Sequence, residues 1–235
     1  MKRVLSPARR VRRMHDRLFA AYGPQHWWPA ETRFEMILGA YLTQNTSWKA
    51  VEISLANLRR AGAHTPVGLR ALPLEKLQEL IRPSGFITRK APALKAFLAM
   101  LDAEFSGSLD YLAAAPTEQV RTRLLSLPGV GPETADAILL YALGHSVPIA
   151  DEYLRRIVER HRLLDPAPAK NRRGYDALVQ LTADAFAANP AADRMRLFNE
   201  FHALTVAVGK AHCRLTPSCA GCPLAYDLEQ STPRI

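Results

Sequence analysis

The sequence predicts an all-α protein. Three observations carry that reading: apolar residues recur every three to four positions along most of the chain, no stretch alternates apolar and polar residues convincingly enough for a strand, and Gly, Pro or Ser/Thr breaks separate the helical segments. With 235 residues, 48% of them hydrophobic, the chain can bury a substantial core as one large domain or as two lobes.

The segments follow in order. FEMILGAYL (34–42), AVEISLANL (50–58) and LEKLQELI (74–81) each place an apolar stripe on one helical face, with Gly62, Pro66 and Pro73 breaking the pattern between the last two. PALKAFLAML (92–101) follows the break Pro83-Ser84-Gly85 and ends before Ser106-Gly107-Ser108. EQVRTRLLSL (118–127) starts after Pro116-Thr117, and ADAILLYAL (135–143) ends at Gly144. YLRRIVERH (153–161), YDALVQLTADAF (175–186) and LFNEFHALTVAV (197–208) complete the set, separated by Pro166 to Pro168 and by Asn189-Pro190. About ten short helices result, with no internal repeat or low-complexity linker, so any lobes must form by return of the chain.

The longest apolar runs are too short and too interrupted to span a bilayer, and the N-terminus MKRVLSPARRVRR has no apolar signal core. The expected location is cytoplasmic. Lys and Arg number 31 against 22 Asp and Glu, a formal charge of +9, and the basic residues bunch in RRVRR and LRRIVERHR. Such a balance favours a polyanionic partner, although a solubilising surface would look the same. The three cysteines lie close together in AHCRLTPSCAGCPL, which points to metal or cluster ligation rather than a disulfide framework.

LPGVGPETADAIL (127–139) reads as a helix, a tight hairpin and a second helix. Gly129 and Gly131 allow backbone angles that other residues disfavour, and Pro132 suits the first turn of the helix that follows. A hairpin of this kind can turn its free N–H groups outward to hold a phosphate without reading a base. An ordinary helix–helix turn is the plainer alternative.

The continuation to Asp151, which lies 20 residues beyond Gly131 (151 minus 131), resembles the helix-hairpin-helix DNA glycosylases of the endonuclease III superfamily. The resemblance covers nearly the whole chain after about residue 14. FEMILGAYLTQNTSWKAVEISLANL is similar to the family's first barrel helix pair, with Gln44 in the segment against DNA where it would fill the gap left by a flipped base. IRPSGFITRKAPALKAF is similar to a family loop that places Phe86 as a wedge in the duplex. The resemblance also implies DNA contacts at Leu127, Gly129, Val130, Gly131 and Thr134. The implied architecture is a two-lobed fold with the active cleft between lobes: a helical barrel over 31–144, and a second lobe from 1–30 and 146–235 that carries the cysteine loop.

In such an enzyme a carboxylate beside the sugar stabilises positive charge in the transition state and can orient or deprotonate a nucleophile. Asp151 is the candidate, and it can also cap the helix that begins at DEYLRR. Bifunctional members carry a lysine that forms a Schiff base with the sugar, and here Glu133 holds that position. The expected enzyme is therefore monofunctional, with water as nucleophile.

A flipped base is read by stacking and edge contacts. Trp27, Trp28 and Trp48, the chain's only tryptophans, lie in segments the family uses near its cleft, and indoles stack well on cationic alkylated purines. Packing under a long N-terminal loop is the alternative. HWWP and TQNT, with the continuation of the hairpin, look like the 3-methyladenine DNA glycosylase III branch.

Cys213, Cys219 and Cys222 give C-x5-C-x2-C, where the endonuclease III pattern is C-x6-C-x2-C-x5-C. Leu228 stands at the fourth position and Asp227 beside it could supply oxygen. The resemblance implies a 4Fe-4S cluster held by Cys213, Cys219, Cys222 and Asp227. A zinc ion held with His212, or a degenerate loop with free thiols, are the rivals. The expected substrate is double-stranded DNA containing a damaged base, the expected state a nucleoid-associated monomer. An oxidised-pyrimidine glycosylase with weak lyase activity and a non-catalytic DNA-binding homologue remain alternatives.

Overall fold

The structure is a computed structural model, described here for residues 5–27 and 30–228. Every regular element among the described residues is helical. The order is α1 (Pro7–Tyr22), α2 (Arg33–Leu42), α3 (Trp48–Arg60), α4 (Pro66–Ala71), α5 (Leu74–Leu80), a 3-10 turn at Arg82–Ser84, α6 (Ile87–Phe105) and α7 (Leu109–Ala114). Then come α8 (Thr117–Leu125), α9 (Pro132–Ala137) continuing as a π turn over Ile138–Ala142, α10 (Glu152–Arg160), α11 (Arg172–Phe186), α12 (Ala191–Ala211) and α13 (Ala225–Leu228).

Short polar side chains set the helix starts. Ser6, Thr32, Ser47, Thr65, Ser108, Asp151 and Asn171 each accept a hydrogen bond from the backbone N–H three residues on, satisfying a donor that the helix itself leaves unpaired. Pro7 and Pro66 occupy first-turn positions where no N–H is needed.

The chain forms two compact units, Met1–Trp27 with Ser146–Ile235, and Trp28–His145. In the inner unit, Ile37, Leu38, Tyr41 and Leu42 of α2 are buried with Val51 and Leu58 of α3, Leu94, Phe97 and Leu101 of α6, and Leu139 of the π turn. Two ion pairs brace this core. Glu35, fully buried on α2, pairs with Arg59 of α3 (Nη2–Oε2 2.8 Å) and accepts from the Glu31 N–H. Its carboxyl is held below the usual value chiefly by the Arg59 hydrogen bond. Arg121 of α8 grips the buried Asp136 of α9 with two bonds of 2.6 and 2.9 Å, tying together the helices on either side of the hairpin.

The terminal unit packs α1 against α11 and α12, and α10 against α12. Val11, Met14 and Leu18 of α1 are buried there, as are Phe186, Phe198, Phe201 and Leu204. Asp227 of α13 accepts from Arg10 Nε (3.0 Å) and Nη2 (2.6 Å) and pairs with His161 Nδ1 (2.9 Å). One short network thus joins both ends of this unit to the C-terminal end of α10.

Candidate active site

The hairpin between α8 and α9 closes through the Val130 N–H, which donates to Leu127 O at 3.3 Å. Gly129 has φ +75°, a left-handed angle that costs a side-chain-bearing residue about 1–2 kcal/mol. Gly131 differs from expectation. Its φ of −93° and ψ of 177° are ordinary extended backbone, the region a residue before proline prefers, and a Cβ there would meet open space. The Val130 side chain is buried. Gly129 and Gly131 are exposed, and among the described residues neither N–H has a hydrogen-bond partner.

Gln44 lies in the turn after α2. Its side-chain amide donates to Gly129 O and to Thr134 Oγ1, each at 3.1 Å, so the 43–46 turn and the hairpin are braced together. Glu133 is exposed in the first turn of α9, where a negative charge complements the helix N-terminus.

Phe86 stands out on backbone and exposure together. Gly85 (φ +66°) and Phe86 (φ 48°, ψ 34°) are consecutive left-handed residues, and the Phe86 ring is 56% exposed. A bulky residue held in that region is a strained position that the surroundings must enforce. Lys90 is the enforcer: its buried Nζ donates to Ser84 O (2.7 Å) and to Leu42 O at the end of α2 (2.9 Å), and it lies 5.7 Å from the Phe86 ring centre. Burial lowers the Lys90 pKa.

In the terminal unit, Asp151 is the N-cap of α10. Oδ1 accepts from the Leu154 N–H at 2.8 Å, while Oδ2 lies 3.7 Å from Nε2 of the buried His202 on α12. The side chain keeps 10% of its surface exposed. Capping fixes the carboxylate on a rigid element and leaves the second oxygen beside an imidazole. His202 was not nominated from the sequence, because nothing local marks one histidine of LFNEFHALTVAV as facing a residue 51 positions earlier (202 minus 151). Gly209, two turns further along α12, is its steric counterpart: a Cβ there would meet the Tyr153 ring at 2.2 Å. The α10 start and α12 therefore approach closely only because residue 209 has no side chain.

The tryptophans are distributed. Trp27 belongs to the terminal unit, and Lys210 Nζ sits 5.7 Å from its ring centre, so the chain's own cation already faces this indole. Trp48 opens α3 in the inner unit, its Nε1 donating to Glu52 at 2.9 Å. Trp28 lies outside the described residues.

The cysteine loop joins α12 to α13. Cys213, Cys219 and Cys222 line one cavity of about 220 Å³ together with His161, His212, Arg160 and apolar side chains that include Leu224 and Leu228. Arg160 Nη1 lies 3.0 Å from Cys213 Sγ, and Arg156 and Arg160 hold the carbonyls of Cys213 and Leu215. Burial, with smaller contributions from Cys219 and Cys213, pushes the Cys222 thiol up. Asp227 does not line this cavity. Both its oxygens face Arg10 and His161, and despite burial those hydrogen bonds hold its carboxyl below the usual value. The oxygen ligand nominated from the sequence is thus an ion-pair partner. Among the described residues, no three His, Cys, Asp or Glu side chains are arranged around a single ion. Three sulfurs lining one cavity nonetheless fit the donor set of a multi-iron cluster, which spreads its ligands over several metal atoms.

Comparison with known proteins places this geometry. Residues 38–178 match the HhH-GPD superfamily base excision DNA repair protein model. The chain is 37% identical to a candidate DNA repair glycosylase, MJ1434, of Methanocaldococcus jannaschii, over 91% of this chain and 93% of that one. It is similar to the structure of Helicobacter pylori 3-methyladenine DNA glycosylase bound to 1,N6-ethenoadenine, with TM-score 0.73, 26% identity and coverage of 88% and 98%. It also shares the fold of endonuclease III in a trapped covalent complex with DNA, with TM-score 0.74, 21% identity and coverage of 95% and 96%. A family match over more than half the chain, and a relative matched along nearly its whole length, establish that the chain belongs to the HhH-GPD superfamily of base excision DNA repair proteins.

Proposed function

We propose that this DNA N-glycosylase releases alkylated purines from double-stranded DNA by hydrolysis, without strand cleavage. The observation that carries the reading is Asp151, whose one oxygen is locked in a helix cap while the other lies 3.7 Å from His202 Nε2, on a side chain that keeps 10% of its surface exposed. In this reading the carboxylate stabilises positive charge on the deoxyribose and orients a water. The water oxygen bonds to C1′ and the bond from C1′ to the base nitrogen breaks. The base leaves with that electron pair, and the water's proton passes to Asp151 and then to solvent. A cationic alkylated purine departs neutral and needs no protonation. Glu133 offers no amine for an imine, so the abasic strand stays intact.

The similarity to the Helicobacter pylori 3-methyladenine enzyme supports the alkylated-purine class. The tryptophans support it less, since Lys210 already faces Trp27. The N–H groups of Gly129 and Gly131 would hold phosphate, Gln44 and Thr134 would brace that contact, and Phe86 would enter the stack. The charge of +9 suits such a partner. We further propose that Cys213, Cys219 and Cys222 hold an iron–sulfur cluster with a structural task, and that the protein acts as a monomer on genomic DNA in the cytoplasm. No described helix is long and apolar enough to cross a membrane.

The test is a panel of duplexes carrying 3-methyladenine, thymine glycol, uracil or an abasic site, scored with and without alkali. Base loss from the 3-methyladenine duplex, with breaks only after alkali, is the expected result. Preferred excision of thymine glycol or uracil would reassign the substrate, and breaks without alkali would reassign the mechanism.

A further inference from the structure

We infer that His212 completes the cysteine site, its Nε2 serving as the fourth ligand of an iron–sulfur cluster held otherwise by Cys213, Cys219 and Cys222. The inference rests on the cluster proposed above. A cluster with four iron corners and three thiolates leaves one corner to another donor. Among the described residues no carboxylate lines the cavity; apart from the cysteines, the metal-ligating side chains on its wall are His161 and His212.

The bonds of His212 fix its tautomer. Its Nδ1 lies 3.0 Å from Ser218 O, and a carbonyl oxygen can only accept, so Nδ1 carries a proton and Nε2 is the nitrogen left to bind a metal. A ligating imidazole commonly shows this arrangement, with the far nitrogen donating to a carbonyl that orients the ring. The Ser218 N–H returns a bond to His212 O at 2.9 Å, so the residue before Cys213 and the residue before Cys219 are clamped together. His212 therefore sits on the ligand loop itself and moves with it. His161 instead belongs to the buried Arg10–Asp227 network on α10 and α13. A neutral imidazole in place of a fourth thiolate also leaves the site one unit less negative.

The full-length protein is reconstituted anaerobically with ferrous iron and sulfide, and the reduced cluster is examined by pulsed electron paramagnetic resonance, with nitrogen-15 histidine as label. The parent should show nitrogen coupling from one directly bound imidazole. His212→Cys should keep iron and inorganic sulfide and lose that coupling, while His161→Gln keeps it. His212→Ala should bleach in air roughly tenfold faster or more than the parent. An iron-loaded parent with no nitrogen coupling, coupling that survives His212→Cys, or coupling lost in His161→Gln would overturn the assignment and leave the cluster standing. Zinc in place of iron, or no metal, would overturn the cluster and His212 together. Base release is scored on the same samples, so the glycosylase reading is judged separately.

Discussion

Replacing Asp151 by Asn separates the chemistry of this residue from its structural task. Asn and Asp are nearly equal as N-caps, so the substituted amide oxygen can still accept the Leu154 N–H now bonded at 2.8 Å, and the variant should melt within about 0.5 kcal/mol of the parent. What is lost, on the proposed mechanism, is the charge beside the sugar. Electrostatic stabilisation of that kind is worth about 3–4 kcal/mol, a fall of roughly 100- to 1,000-fold in the rate of base release. Asp151→Ala should lose as much rate and also about 1 kcal/mol of stability, because the cap acceptor goes with the carboxylate. Single-turnover base release from an alkylated duplex and thermal denaturation of the same preparations measure the two effects. DNA affinity of the Asn variant should be unchanged or higher, since no phosphate contact is removed. An Asn variant that excises at the parental rate, or that melts as low as the Ala variant, would refute the dual assignment.

The hairpin and the ion pairs give further expectations. Gly129→Ala should lower stability by about 1–2 kcal/mol because its φ is +75°, whereas Gly131→Ala should melt like the parent; both should weaken binding to damaged and undamaged duplexes alike, and a loss confined to damaged DNA would contradict the phosphate role. Arg121→Ala strands the buried Asp136 carboxylate and should cost about 3–5 kcal/mol by denaturant titration, with a smaller cost when Asp136 is also replaced by Asn. Acid should destabilise the fold in a defined window. Glu35, through its Arg59 hydrogen bond, and Asp227, where burial is outweighed by bonds from His161 and Arg10, both have folded pKa values below their unfolded ones. Their contribution is present in full above about pH 4 and is lost as pH falls through the lowered values, so melting temperatures should hold from neutrality to about pH 5 and drop below about pH 4. A melting temperature that rises on acidification would contradict this.

What the sequence made legible was what local pattern controls. The nine apolar stripes became helical because their period is helical, with side-chain caps at Thr32, Ser47, Asp151 and Asn171 starting four of them, and LPGVG with Asp151 was readable because a turn and a cap are local events. The first helix was not read. Val11, Met14 and Leu18 do lie on one face of α1, but RRVRR surrounds them, and Arg10 is buried only because Asp227 waits 217 residues away. The same distance explains Asp227: beside a row of cysteines it looks like a ligand, and only the fold reveals its arginine and histidine partners. Gly131 in LPGVG suggests a special backbone angle that the fold does not use, since Pro132 alone accounts for its extended backbone. His202 and Gly209 gain meaning from α10 lying against α12, and the π turn at Ile138–Ala142 has no signature in ADAILLYAL.

The central claim is hydrolytic base release by Asp151 in a chain whose Glu133 supplies no amine. It is tested most directly by following one single-turnover reaction on a 3-methyladenine duplex, quantifying free base and strand breaks before alkali, with borohydride present in a parallel sample. The account predicts stoichiometric free base, intact strands until alkali is added, no covalent protein–DNA adduct, and loss of base release in Asp151→Asn. Strand breaks that keep pace with base release, together with a borohydride-trapped adduct, would contradict it.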